Sequence, residues 1–290
     1  GYEVSEDRAQ KTLNRFFQGP VNMLDTSRNY AMGESEKRIG IAIKENGGWP
    51  ENFILSTKID RNMDTLVLDK KRTRESIEES LKTLNVNSVD VLFLHDPEYV
   101  KDINDVTKKD GAIDELFKIK EEGLAKAVGL AMGKVDIMFP MLKNWDFDVI
   151  INHNRYTLLN READEMYSYA HSKNISIFNA APYAGGVLAK GPSNFKKITY
   201  QDATEEKLAP AREIEKVCKK YDVEMGAAAL QFSMKDKRIT STICGVTSIQ
   251  SIEKNLAWAN TNIPEEFWNE VLKLPYSTKD PESERNYTPG

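Results

Sequence analysis

Cysteine is nearly absent: among 290 residues only Cys218 and Cys244 carry thiols. That is too few for a disulfide framework, and the expected setting is a reducing cytoplasm. Long apolar runs are missing as well. No stretch approaches the ~20 residues that span a bilayer, and no leading apolar segment ends in a small-residue cleavage site, so no membrane partner is expected. Positive charge is not in excess. The 40 basic residues are outnumbered by 45 acidic ones and form no stripe, which argues against nucleic acid as a partner. His95, His153 and His171 lack ligand-like spacing, so no metal site is expected. No strand is followed by a Gly-x-Gly-x-x-Gly turn, the sign of a Rossmann dinucleotide site. Linkers, composition shifts and internal repeats beyond a local strand–helix unit are missing too. Residues 1–290 therefore read as one domain.

What is present is a regular alternation. Residues 5–18 have the pattern of a capped amphipathic helix, opened by Ser5 or Asp7. Strands are expected at 21–26, 53–59, 89–95, 125–130, 147–152, 175–180 and 241–246. Helices are expected between and after them at 34–45, 69–84, 111–122, 134–142, 161–173, 204–220, 248–259 and 264–272. Long loops fill 97–109 and 181–203, and the tail after Leu274 is polar and irregular. A βα repeat at roughly 30–40 residue spacing is the sign of a parallel sheet covered by helices. Seven strands follow a leading helix. A closed (β/α)8 barrel needs one more strand ahead of that helix, which Gly1 and Tyr2 are too short to supply. The expectation is an α/β TIM barrel whose opening strand is missing from the chain.

Three of these strands end in an ionisable group. Side chains alternate faces along a strand, so His95 shares a face with Val91 and the core residue Phe93. Asp25 likewise shares a face with Met23, and Lys58 with Ile54 and Ser56. Tyr30 follows Asp25 in the next loop. Each residue alone has a bland reading, as a turn residue, a solvated lysine or a hydrogen-bonded histidine. Together they converge on the carboxyl rim of the sheet, where α/β folds bind ligands. An unpaired buried charge is costly, so Asp25 and Lys58 are expected to pair.

These residues, with Gly33-Glu34-Ser35-Glu36, Gly40, Val128-Gly129, Arg155-Tyr156, Ala181-Pro182 to Leu188, and Gly245 to Asn255, resemble the aldo-keto reductase family along essentially the whole chain. The resemblance implies a (β/α)8 barrel that holds an extended NADP or NAD at its carboxyl rim. By position Asp25, Tyr30, Lys58 and His95 match the family's catalytic tetrad. Tyr30 then exchanges a proton with the substrate oxygen, and a nearby cation is expected to favour its phenolate. Asp25 holds Lys58, and His95 orients the substrate oxygen.

The resemblance also places the cofactor. His153 stands where many members have a glutamine holding the carboxamide, and either it or a neighbouring asparagine such as Asn154 takes that role. Ala180 stands where many carry a stacking aromatic, with Tyr183 nearby. Pro182, Tyr183, Gly185, Gly186 and Leu188, together with Gly245 and Thr247, are expected at the phosphates, where backbone amides and a helix amino end suit a pyrophosphate. Lys254 is expected at a 2′-phosphate and Asn255 at the adenine. Gly245 and Ser251 stand where strict NADP users tend to be basic, which leaves NAD open.

The segment 179–188 resembles most the branch of D-threo-aldose 1-dehydrogenases, also called L-fucose dehydrogenases. Oxidation of a sugar at C1 to the lactone is therefore expected, with Tyr99, Phe195, Tyr200 and Tyr276 as candidate pocket residues. Two rivals stand beside it. One is a broad aldehyde or ketone reductase, the other a nucleotide-binding regulatory subunit of the same fold.

Overall fold

In a computed structural model of the chain, the described residues are 3–285. In chain order they form α1 (Glu6–Phe17), β1 (Met23–Asp25), α2 (Glu34–Glu45), β2 (Ile54–Ile59), α3 (Lys70–Leu84) and β3 (Val89–His95). Next come α4 (Asn104–Thr107), α5 (Ala112–Glu121), β4 (Ala125–Met132), α6 (Val135–Asn144), β5 (Val149–His153), α7 (Asp164–Ser172) and β6 (Ser176–Ala180). After these lie α8 (Val187–Lys190), β7 (Lys197–Ile198), β8 (Gln201–Asp202), α9 (Glu205–Lys220), α10 (Met225–Met234), β9 (Ser241–Ile243), α11 (Ile249–Asn260) and α12 (Glu265–Val271). Gly1 and Tyr2, and the opening strand expected ahead of α1, lie outside the described residues.

Seven of these strands form one parallel sheet in the order β1-β2-β3-β4-β5-β6-β9, while β7 and β8 make a small antiparallel hairpin. The sheet is rolled. Phe93 on β3 and Phe178 on β6 stand three strands apart, yet their rings meet edge to face at 6.1 Å. Met23 on β1 and Ile243 on β9, from opposite ends of the strand order, pack on the same inner cluster of Val91, Phe93, Ala131, Val149, Ile151 and Phe178. Outside, α1 lies against α11 across the seam, tied by Arg15 Nε to Glu253 at 2.5 Å. This is the (β/α)8 barrel architecture, with an inner core and an outer core between strands and helices.

Strand parity sorts residues between the two cores as the sequence requires. Val91 and Phe93 face inward, while Leu92 and Leu94 pack outward with Leu55, Val128 and Ile150. The helices start on side-chain caps: Ser5 accepts from the Arg8 amide, and Asp69 from the Arg72 amide. Three helices depart from expectation: the short α4 and α8 stand in segments expected to be loops, and α10 was not expected at all. Met225–Met234 is helical, but its buried residues lie on all sides, so it has no amphipathic stripe to read. Gly226 sits under the Trp258 ring, where a Cβ would collide with the indole. No helix among the described residues is long and apolar enough to cross a membrane.

Candidate active site

The residues at the carboxyl rim are brought together by adjacent strands. β1 pairs with β2 so that Asp25 lies opposite Ser56, and β2 pairs with β3 so that Lys58 lies opposite Phe93. Lys58 Nζ reaches Asp25 Oδ2 at 2.6 Å and the Thr26 carbonyl at 2.7 Å. Ser56 donates to the other Asp25 oxygen at 2.8 Å. Both charged side chains are almost fully enclosed, so each needs the other. Burial disfavours the ammonium, but Asp25 overrides it and the Lys58 pKa is raised. Lys58 is therefore a fixed cation.

Tyr30 opens a 3-10 turn, Tyr30–Gly33, in which Ala31 and Met32 hold left-handed backbone angles. This turn carries the phenol back over the rim. Lys58 Nζ lies 4.6 Å from the Tyr30 ring centroid, and the ring meets His95 edge on at 5.7 Å. Although 41% of the residue is exposed, burial of the phenol end is the largest influence on its acidity. Lys58 pulls the pKa down, Asp25 pushes it up, and the outcome is about 12. This corrects the expectation that the cation would favour phenolate. Asp25 neutralises much of the Lys58 field, and the remainder does not outweigh the cost of burying the phenolate.

His95 has a partner that sequence reading missed. Its Nδ1 faces Asp60 Oδ1 at 2.6 Å, and Ser27 donates to the other Asp60 oxygen at 2.6 Å. The Asn29 amide also donates to Asp60, while the Asp60 backbone is pinned by Ser76 and Arg72. Burial disfavours a charged His95, but Asp96 and Asp60 together override it and raise the pKa. Asp60 is itself held below the ordinary carboxylate range, because His95 and its other donors outweigh burial. Asp60 thus orients the imidazole and leaves Nε2 for the pocket. Asp60→Asn is expected to lower the His95 pKa and reduce turnover by roughly 10–100-fold, by analogy with lost outer-shell carboxylates. An imidazole titration by NMR, beside steady-state kinetics, checks both; an unchanged titration would remove Asp60 from this role.

At the end of β5, His153 faces the barrel mouth and burial lowers its pKa, so it is neutral. Asn154 follows in a left-handed conformation, its Nδ2 bonded to Glu282 and its Oδ1 buried with no partner. Arg155 is sealed beneath, paired to Asp280 at 2.6 Å and to Glu282 at 3.3 Å. The polar tail is therefore a strap. Ser277 exchanges backbone bonds with Leu159 and Arg161, and the Pro281 carbonyl accepts from Thr199 and Gln201.

The remaining residues spread along the rim of β6 and β9. Pro182 and Tyr183 lie in a loop with left-handed Ala181, Ala184, Gly185 and Gly186. The Tyr183 phenol donates to Asn255 Oδ1 at 2.7 Å and its ring meets Trp258. Tyr183 is thus joined to the residue expected at the adenine. Gly185 is required by close packing: a Cβ there would stand 2.8 Å from the Tyr200 amide nitrogen. Leu188 is buried in the outer core on α8, a helix of only four residues. Gly245 has open space around it. Thr247 accepts from Arg8 of α1 at 3.3 Å, and Ser248 and Ser251 cap α11 reciprocally. Lys254 turns along α11, 4.6 Å from the Trp258 ring centroid and 4.0 Å from Glu224. Of the aromatic pocket candidates, Tyr99 lies directly after β3, with Lys134 5.8 Å from its ring centroid. Phe195 covers Gly186, and Tyr200 and Tyr276 are exposed.

Comparison with known proteins agrees with this architecture. The chain is 29% identical to L-galactose dehydrogenase of Arabidopsis thaliana, over 88% of this chain and 78% of that one. It is 28% identical to D-threo-aldose 1-dehydrogenase of a Pseudomonas species, over 93% and 88%. A solved aldo-keto reductase of Bacillus halodurans, in its holo form, superposes with a TM-score of 0.78 at 19% identity, covering 98% of this chain and 92% of that one. That likeness speaks to the fold. The model of the Aldo/keto reductase family matches residues 1–274, and the chain belongs to that family of oxidoreductases.

Proposed function

We propose that the protein oxidises an aldose of the L-fucose or D-threo-aldose type at C1 to the lactone, with NADP or NAD as hydride acceptor. The observation that carries this reading is the enclosed Lys58–Asp25 pair set against Tyr30, with the Asp60-bound His95 beside it. The residues present fit a nicotinamide dinucleotide. His153 stands at the end of β5 on the same face as the inner-core residues Val149 and Ile151, and the open space at Gly245 admits a phosphate group against the backbone. A bound nicotinamide supplies the carbon that accepts or returns hydride. The protein supplies the proton chemistry and the positioning.

In oxidation, Tyr30 as phenolate takes the C1 hydroxyl proton while His95 Nε2 holds the same oxygen. In reduction, the Tyr30 phenol gives that proton back. Sugar specificity is supported by the names of the two dehydrogenase relatives. A second reading, aldehyde reduction, is favoured by one observation: Tyr30, with its pKa pushed up to about 12, is protonated at neutral pH and so already holds the proton that reduction needs. Reduced-nucleotide absorbance with NAD and NADP, over a panel of aldoses and aldehydes, tests the two. Faster turnover of aldehydes than of any aldose would overturn sugar oxidation.

The two directions also differ in pH dependence. Oxidation needs the deprotonated phenol, a minority form below its pKa, so kcat/KM for oxidation is expected to climb by up to about tenfold per unit from about pH 7 to about pH 10. Reduction needs the protonated form and does not gain from the same rise. A flat oxidative profile would mean that Tyr30 is not the base.

A further inference from the structure

We propose that Asp96 is a specificity-determining residue: its carboxylate accepts a hydrogen bond from a substrate hydroxyl on the carbon next to the reacting one. The inference rests on the redox reading above and deepens it by naming the group that the pocket recognises. Strand parity alone would send Asp96 outward with Leu92 and Leu94. The backbone breaks that rule, because Asp96 leaves β3 in a left-handed conformation, φ 46° and ψ 48°. Its amide still donates to the Ala131 carbonyl at 2.9 Å, and its carbonyl accepts from the Tyr99 amide at 3.1 Å. Glu98 braces the turn, its Oε1 accepting from the Gly133 amide at 2.9 Å and the Lys134 amide at 3.4 Å. The carboxylate is thereby brought round beside the imidazole, with Oδ1 3.8 Å from His95 Nε2.

Burial has the largest influence on the acidity of Tyr30, His95 and His153, and the Asp96 charge acts upward on all three. They come from the loop after β1 and from the ends of β3 and β5, so Asp96 stands among them at the carboxyl rim. Its side chain is 13% exposed, and neither oxygen is an enclosed orphan. Among the described residues its one ionic neighbour is His95, and no hydrogen bond occupies its oxygens. A carboxylate only accepts hydrogen bonds, and in a half-buried pocket it loses water to whatever substrate enters. A hydroxyl replaces that water. A bare methylene does not, and the stripped acceptor is costly. Geometry picks the hydroxyl. With the reacting oxygen on His95 Nε2, an oxygen on the adjacent carbon lies to its side by ~2.8 Å, the length of an O–H···O bond. That offset is close to the 3.8 Å between Nε2 and Asp96 Oδ1. The two side chains thus fit a vicinal pair of oxygens, the grouping at C1 and C2 of an aldose.

The test is kinetic. Propanal, 2-hydroxypropanal and 3-hydroxypropanal are reduced with NADH and with NADPH, and kcat/KM for each hydroxylated aldehyde is divided by that for propanal. In oxidation the same ratio is read from L-fucose against its 2-deoxy analogue. Comparing a ratio between variant and wild type cancels the intrinsic reactivity of the substrates, any change in the shared proton step and the fraction of protein that is active. Asp96→Gly removes the carboxylate and tolerates the left-handed backbone. Asp96→Asn, which also adopts that region, keeps an acceptor without the charge. The 2-hydroxy ratios are expected to fall by roughly 10–100-fold in Asp96→Gly, the size of a hydrogen bond to a charged acceptor, and by roughly three- to tenfold in Asp96→Asn. The 3-hydroxy ratio is expected to stay within about twofold of wild type, since its hydroxyl is a carbon too far away. A 2-hydroxy ratio in Asp96→Gly within about twofold of wild type overturns the proposal. So does an equal fall in the 3-hydroxy ratio, and either result leaves the redox reading standing. Failure of wild type to turn over any of these substrates in either direction overturns the redox reading itself.

Discussion

Tyr30→Phe is expected to lower turnover by roughly a thousandfold, in the range found for general acid–base groups, while the cofactor dissociation constant changes by no more than about twofold. The substitution deletes one hydroxyl and little else. The ring remains edge on to His95 and close to Lys58 Nζ, and the loss of a single oxygen atom leaves little space to refill. Lys58→Met would be a poorer experiment. It leaves Asp25, with a side chain 7% exposed, holding only its Ser56 bond. Stranding a buried charge costs about 3–5 kcal/mol, and lost activity would be mixed with lost fold. Steady-state kinetics and a nucleotide titration on Tyr30→Phe give a clean reading. Turnover within tenfold of wild type would take the proton away from Tyr30 and with it the mechanism proposed for this site.

A large effect on stability, with the reacting groups left in place, is expected from Gly129→Ala. Gly129 lies on β4 between Phe93 of β3 and Val149 of β5. A Cβ there would fall inside the van der Waals shell of the Val149 carbonyl oxygen. The obstacle is backbone in the middle of a paired sheet, so no rotamer change relieves it. β4 and β5 must part, and with them the inner cluster that holds Val149, Ile151 and Ala131. A loss of roughly 3 kcal/mol follows, lowering Tm by on the order of 10 °C. Gly245→Ala is the contrast, since nothing lies within 4 Å of the added carbon; its Tm should shift by no more than about 2 °C. Equal melting temperatures for the two variants would contradict the packing of β4 on β5.

Much of this arrangement is legible in the sequence because strand parity is a local rule. Once 89–95 is taken as a strand, Phe93 and His95 must share a face, and the same holds for Ser56 with Lys58. Asp60 escaped for a physical reason. It stands one residue beyond β2, where aspartate is ordinarily a turn or cap residue, and nothing local says that it turns toward the neighbouring strand. A signal was available, since a histidine sharing a face with a core phenylalanine needs a buried partner, and the next strand's end is the nearest source. α10 escaped because Gly226-Ala227-Ala228-Ala229-Leu230 is apolar on every side, and periodicity marks only helices with one wet face. Glu282 could not be found by pattern. Its partners Asn154 and Arg155 lie 128 and 127 residues away, and only the completed barrel brings them together. The direction of the Tyr30 shift is not legible in the sequence, because charge spacing is visible there whereas desolvation is a property of the closed fold.

The path of residues 275–285 also bears on what a cut in this segment would do. Beyond α12 the chain runs past Leu159, over Asn160 and Arg155, and on to Lys207 through Glu284. A protease that clipped it just after Leu274 would leave every barrel strand untouched. It would also strip Asp280 and Glu282 from a guanidinium that is 1% exposed, leaving Arg155 with the His153 carbonyl and with Glu162, 3.7 Å from its Nε. The nicked enzyme would keep its reacting groups and lose the brace behind them.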